Sequence, residues 1–149
     1  MSDVRTATVP RPAVPYLRIP PDADPYLVGT VCSRCAATFV GARKVCSRCG
    51  ARGGMGTMAL SNEGTLHTYS IVYRSFPGVS VPFVSAVVDL EGGGCLKGNL
   101  INVKPDPREI TFGMPVEVVF RDAGRRDADG NAYLSYFFQP RTAGGGQAR

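Results

Sequence analysis

Four of the five cysteines stand at matched spacings. Cys32-Ser33-Arg34-Cys35 and Cys46-Ser47-Arg48-Cys49 are two C-x-x-C pairs with ten residues between them. The turn after the first cysteine of such a pair aims backbone N–H groups at its sulfur, which favours the thiolate. Four thiolates in two pairs form a tetrahedral, all-sulfur donor set, and soft sulfur suits Zn2+ or iron. Gly50 follows the second pair and can adopt the backbone conformation this turn prefers; Ala36 stands at the matching place after the first. Disulfides and a redox C-x-x-C are the competing uses of these cysteines. The polar, proline-broken N-terminus has no apolar signal region, so a cytoplasmic, reducing location is expected, and that disfavours disulfides. The duplication disfavours a thioredoxin-like motif. A four-cysteine site is closed, whereas catalytic zinc keeps a position open. Cys32, Cys35, Cys46 and Cys49 are therefore expected to hold a structural Zn2+ that supplies fold and no chemistry; iron there would make a one-electron, rubredoxin-like centre.

The charge is concentrated around these cysteines. The formal net charge is +5, and residues 26–62 contain no Asp or Glu but carry Arg34, Arg43, Lys44, Arg48 and Arg52. One cationic region on an otherwise balanced chain points to a local anionic contact, with a solvated face as the plain alternative. Elsewhere no catalytic set emerges. Cys95 follows a run of three glycines and is expected to be a small buried or half-buried residue at a strand start. His67 is the only histidine, and it reads as an ordinary strand residue or as one facing a ligand or partner. There is no G-x-S-x-G, no Walker loop, and no glycine-rich turn followed by a helix. An enzyme acting alone is not expected.

The elements that must position these residues are mostly strands. The chain has 149 residues, enough for one domain or two very small ones, with 18 Gly and 12 Pro. That composition argues for turns and against a helical bundle. No apolar stretch approaches a membrane span. Residues 1–25 hold six of the prolines and are expected to be an extended arm, either a loose tail or a segment that wraps a partner chain. Residues 26–53 form the cysteine ribbon, 54–64 a glycine-rich linker, and 141–149 a disordered tail. Between them, 65–74, 82–90, 95–101, 115–121 and 132–138 read as strands from their β-branched and aromatic content. Five short strands within 65–140 can hide their edges in a small Greek-key barrel, most naturally of OB type. Periodicity alone leaves an SH3-like barrel or a sandwich open. The fold class expected is all-β.

A four-cysteine ribbon followed by such a barrel resembles a family of acyl-CoA-associated proteins, with an N-terminal rubredoxin-like zinc ribbon and a C-terminal OB-fold, long catalogued as a domain of unknown function. The resemblance covers residues 26–138. It rests on the four ribbon cysteines with Gly50, Asn62-Glu63-Gly64-Thr65-Leu66, the run from Pro82 through Glu91, Leu96-Lys97-Gly98-Asn99-Leu100, and Phe112-Gly113-Met114-Pro115-Val116-Glu117-Val118. Ala36 and the proline-poor gap between the cysteine pairs depart from the pattern. The resemblance implies a small, non-catalytic subunit of a thiolase-type complex, or of a hydratase or aldolase, handling an acyl-CoA. Benzoylsuccinyl-CoA, sterol side-chain and hydroxymethylglutaryl-CoA pathways all fit it. A thiolase-fold subunit would be the partner, and the coenzyme A thioester would be a ligand shared with it. Arg43, Lys44, Arg48 and Arg52 then become candidates to meet CoA phosphates or an acidic partner surface. Phe39, Tyr69, Tyr73, Phe76 and Tyr136 either line an acyl channel or fill the barrel.

Two other functions compete. A nucleic-acid-binding ribbon and OB module needs a cationic, aromatic groove across the barrel, yet residues 63–140 carry slightly more carboxylates than cations. A rubredoxin-like electron carrier needs iron in the cysteine site.

Overall fold

The computed structural model describes residues 9–142. Residues 1–8 of the expected arm and 143–149 of the expected tail lie outside them. Among the described residues there are ten strands and no helix. They are β1 (Arg11–Pro12), β2 (Leu17–Arg18), β3 (Tyr26–Cys32), β4 (Thr38–Val40), β5 (Met55–Ala59), β6 (Glu63–Val72), β7 (Phe83–Leu90), β8 (Cys95–Leu100), β9 (Pro115–Arg126) and β10 (Ala132–Pro140).

The last five strands close into an OB-fold barrel. Antiparallel pairs join β6 to β7, β7 to β8, β9 to β10 and β6 to β9, and a short parallel contact between Leu100 and Phe138 joins β8 to β10. Closure leaves the sheet without two free edges. Alternation dictates which side chains fill it. On β7, Val84, Ala86, Val88 and Leu90 point inward while the residues between them are more exposed, as period-2 pleating requires. Leu66, Leu96, Leu100, Val116, Val118, Tyr136 and Phe138 complete the interior with Ile110 as a plug. The β6–β7 register slips between Leu66 and Thr68, at His67. Such a bulge bends a strand, and it separates the stretch of β6 paired with β9 from the stretch paired with β7 alone.

The first five strands differ from expectation in two places. Residues 54–64 are not simply a linker. Met55–Ala59 forms β5, paired with β3 from Val28↔Ala59 to Cys32↔Met55, and β6 already begins at Glu63. Glycines hide strand character in a local reading; here the partner strand imposes it. The arm is also no loose extension over residues 9–25. Leu17 and Arg18 pair with β3, Arg11 and Pro12 run parallel to β10, and Leu17 is fully buried. The Tyr16 hydroxyl donates to the Tyr136 hydroxyl at 2.8 Å, and Tyr136 in turn donates to the Lys97 carbonyl. Burial, followed by the Tyr16 contact, raises the Tyr136 pKa, so the hydroxyl stays a donor.

Ribbon and barrel share one core. Leu17, Leu27 and Leu60 belong to the same buried cluster as the barrel side chains. The β7–β8 turn meets the ribbon at Gly93, which has φ +115°; a Cβ there would lie 2.7 Å from the Thr38 Cβ. Only glycine permits that approach with that backbone.

Candidate functional site

The cysteine cluster sits at the far end of β3, the central ribbon strand. Cys32 closes β3, Cys35 follows in the turn to β4, and Cys46 and Cys49 lie in the loop between β4 and β5. The two turns are built alike. The N–H of Ala36 donates to the Cys32 carbonyl at 2.8 Å and that of Gly50 to the Cys46 carbonyl at 2.9 Å. The N–H of Cys32 donates to the Ala37 carbonyl and that of Cys46 to Ala51. Ala36 and Gly50 both take positive φ, 63° and 77°, so the alanine occupies a backbone region that costs an L residue about 1–2 kcal/mol.

The geometry suits a metal. The four Sγ atoms all lie within 4.8 Å of one another. Cys32 and Cys49 Sγ are 3.7 Å apart, and Cys35 and Cys46 Sγ 3.6 Å. A tetrahedron of sulfurs about 2.3 Å from zinc has edges of about 3.8 Å. The electrostatics are prepared as well. The N–H groups of Cys35 and Arg34 pull the Cys32 pKa down. The Cys49 N–H, then that of Arg48, brings Cys46 down to about 6 against the opposing effect of burial. At Cys35 the Ala37 N–H lowers the pKa, but burial and the neighbouring thiols outweigh it and hold the group at about 11. The first cysteine of each turn is thus biased towards the thiolate, and a cation among the four would draw the rest. The donor set fits Zn2+, and four protein sulfurs would fill all the positions of a tetrahedral ion.

Arg34, Arg43, Lys44, Arg48 and Arg52 are all exposed, and among the described residues none reaches a carboxylate. The Arg43 guanidinium lies over the Phe39 ring, 5.4 Å from its centre, and its backbone N–H donates to the buried Thr30 hydroxyl. The metal-type cluster and the cations therefore share one lobe.

Cys95 is exposed and not buried or half-buried as expected, because it points to the outer face of β8 opposite Asp89. Partial burial and then the Asp89 charge raise its pKa. His67 pairs with that same Asp89, Nδ1 to Oδ2 at 2.9 Å. The carboxylate suppresses the thiolate, the reverse of what a nucleophile needs.

The aromatics separate by place. Tyr136 fills the barrel. Tyr69 is half-buried and stacks on Phe112 with ring centres 5.3 Å apart. Tyr73 and Phe76 do not fill the barrel: they are 65% and 83% exposed on the loop 73–82 between β6 and β7, together with Val79 and Val81. Sequence reading missed this apolar loop as a unit; four apolar residues in a proline-flanked turn were the available signal.

A ribbon carrying a metal-type cluster of four sulfurs, rooted in the core of an OB-fold barrel, defines an all-β ribbon-and-barrel protein. A family model described as "ChsH2, C-terminal OB-fold domain" matches residues 57–121. A DUF35 domain-containing scaffold protein of Methanocaldococcus jannaschii is 31% identical over 117 residues, 76% of this chain and 81% of the relative. A second, from Methanothermobacter thermautotrophicus, is 31% identical over 119 residues, 78% and 87% of the two chains. Among solved structures, the Ltp2-ChsH2(DUF35) aldolase is similar with a TM-score of 0.61 at 26% identity, over 77% of this chain and 84% of that one. A DUF35-family protein of unknown function from Sulfolobus solfataricus shares the fold, with a TM-score of 0.50 at 17% identity over 76% and 75% of the two chains. The chain belongs to the DUF35 family.

Proposed function

We propose that this protein is a non-catalytic accessory subunit of a thiolase-type enzyme complex that makes or breaks a carbon–carbon bond in an acyl-CoA. The observation that carries this reading is the loop 73–82. It holds Tyr73, Phe76, Val79 and Val81 in water between two paired strands, a costly arrangement unless a partner covers it. Relatives named as scaffold proteins and a structural neighbour titled "Ltp2-ChsH2(DUF35) aldolase" support an enzyme as that partner. The catalytic groups would belong to the enzyme. Cys32, Cys35, Cys46 and Cys49 would hold Zn2+, which supplies the ribbon's fold in place of a hydrophobic core. Arg43, Lys44, Arg48 and Arg52 would face the CoA phosphates or an acidic surface of the partner, since among the described residues no carboxylate neutralises them. A nucleic-acid module is less well supported: the loop aromatics have only Arg74 beside them in sequence, and the carboxylate-free run of cations lies on the ribbon.

The test is Tyr73→Ala with Phe76→Ala in the chain recovered from its native cells. The double variant is expected to keep its fold, metal content and melting temperature and to lose an enzyme subunit that the wild type retains. Loss of two exposed aromatic anchors should weaken docking by at least about tenfold each. Undiminished retention of the enzyme would remove the loop from the interface.

A further inference from the structure

We infer that the outer face of the barrel carries a ligand cleft for a flat, apolar molecule bearing one negative charge, such as an aromatic carboxylate. The inference does not depend on the enzyme partner. The cleft, about 560 Å³, opens where β8 leaves β10 and the arm takes its place. A volume in this range suits a small organic ligand. Its floor is the outward side of β10, Tyr133, Ser135 and Phe137, which alternate with Leu134, Tyr136 and Phe138 on the core side. Asn99 of β8 stands on one side, Ala123 and Arg125 of β9 on another, and residues 13–14 of the arm on the third.

The lining is chemically one-sided. The Phe137 ring, Val14 and two alanines offer apolar surface. Arg125 is the one charged lining residue, and no carboxylate lines the cleft among the described residues. The side chains of Asn99, Arg125, Tyr133 and Ser135 make no hydrogen bond or ion pair with any described residue. Nearby, Arg126 of the hairpin pairs with Asp122, Gln139 with Glu117, and Arg11 of the arm with Asp127 of the hairpin turn, while Arg121 reaches only the Phe120 carbonyl. Four unpaired polar groups and a half-buried ring thus converge on one space with a single positive charge. A guanidinium takes a carboxylate through paired charge-assisted hydrogen bonds, and the ring and methyl groups hold a flat apolar body. The arm wall is itself fixed, since the Ala13 N–H donates to the Leu134 carbonyl at 2.9 Å and Arg11 Nε lies 2.8 Å from Asp127.

The experiment is an amide NMR titration of the full chain with 2-naphthoate, and with neutral 2-naphthylmethanol as comparator. Saturable shifts are expected at residues 13, 99, 123, 125, 133, 135 and 137. Arg125→Gln should weaken naphthoate about tenfold and leave the alcohol unchanged. Asn99→Asp, which places a carboxylate in the cleft, should do the same; Arg125 is exposed and Asn99 half-buried, and an unchanged spectrum elsewhere verifies the fold. Absence of saturable shifts there, or equal binding of acid and alcohol, or an Arg125→Gln variant that binds naphthoate as the wild type does, would overturn the assignment.

Discussion

At the scale of residues, the cysteine turns carry the clearest consequences. Each first cysteine receives two backbone N–H groups, so its thiolate is stabilised before any cation arrives. Replacing Cys46 by Ser removes the sulfur best prepared to bind. Because structural zinc contributes folding free energy on the order of 10 kcal/mol, metal content should fall from one ion per chain to none. The amide signals of the ribbon should collapse while those of the barrel persist; a Cys46→Ser protein that keeps its metal would contradict the site. Ala36 permits a finer test. Its φ of 63° is the strain that Gly50 avoids at the equivalent position. Ala36→Gly should therefore raise stability by about 0.5–1 kcal/mol, read as an upward shift in melting temperature, and a fall would show the alanine to be unstrained. The spacing of these cysteines was legible in the sequence because a C-x-x-C turn is local. The exposure of Cys95 was not, because it depends on which face of β8 meets the core.

At the scale of elements, strands with strict alternation were readable to within a few residues. The strand expected over 82–90 is Phe83–Leu90, and that over 95–101 is Cys95–Leu100. Where glycine or proline broke the pattern, the reading failed. Met55–Ala59 became a strand through β3, and the proline-rich arm became part of the fold through Tyr16 and Leu17. A contact such as Tyr16 with Tyr136, remote in sequence, leaves no local trace. The arm joins the fold through two strands of only two residues each, so it should open before the barrel does. Tyr16→Phe deletes its hydroxyl donor to Tyr136 at a cost of about 1 kcal/mol. The Val28 N–H, which donates to the Tyr16 carbonyl, should then exchange with solvent several-fold faster while barrel amides such as Val88 are unchanged. Equal acceleration throughout would mean that the arm opens only with the whole molecule.

At the scale of the whole molecule, three surfaces lie on a ribbon and barrel that share one core: the cationic ribbon, the apolar loop and the cleft. The shared core of Leu17, Leu27, Leu60 and the barrel interior means that ribbon and barrel present themselves to a partner in a set orientation, which lowers the entropy cost of docking. A closed cysteine site, a suppressed Cys95 thiol and an exposed apolar loop together favour assembly over independent chemistry. The class of protein was visible in the order of ribbon and barrel, whereas the loop needed the fold to show that it stays in water. The most direct measurement is the composition and activity of the native assembly, isolated through this chain and assayed with acyl-CoA substrates. The account predicts a fixed ratio of this chain to an enzyme subunit, carbon–carbon bond chemistry residing in that subunit, and one zinc per copy of this chain. A chain that is isolated alone, or that acts on acyl-CoA by itself, would contradict it.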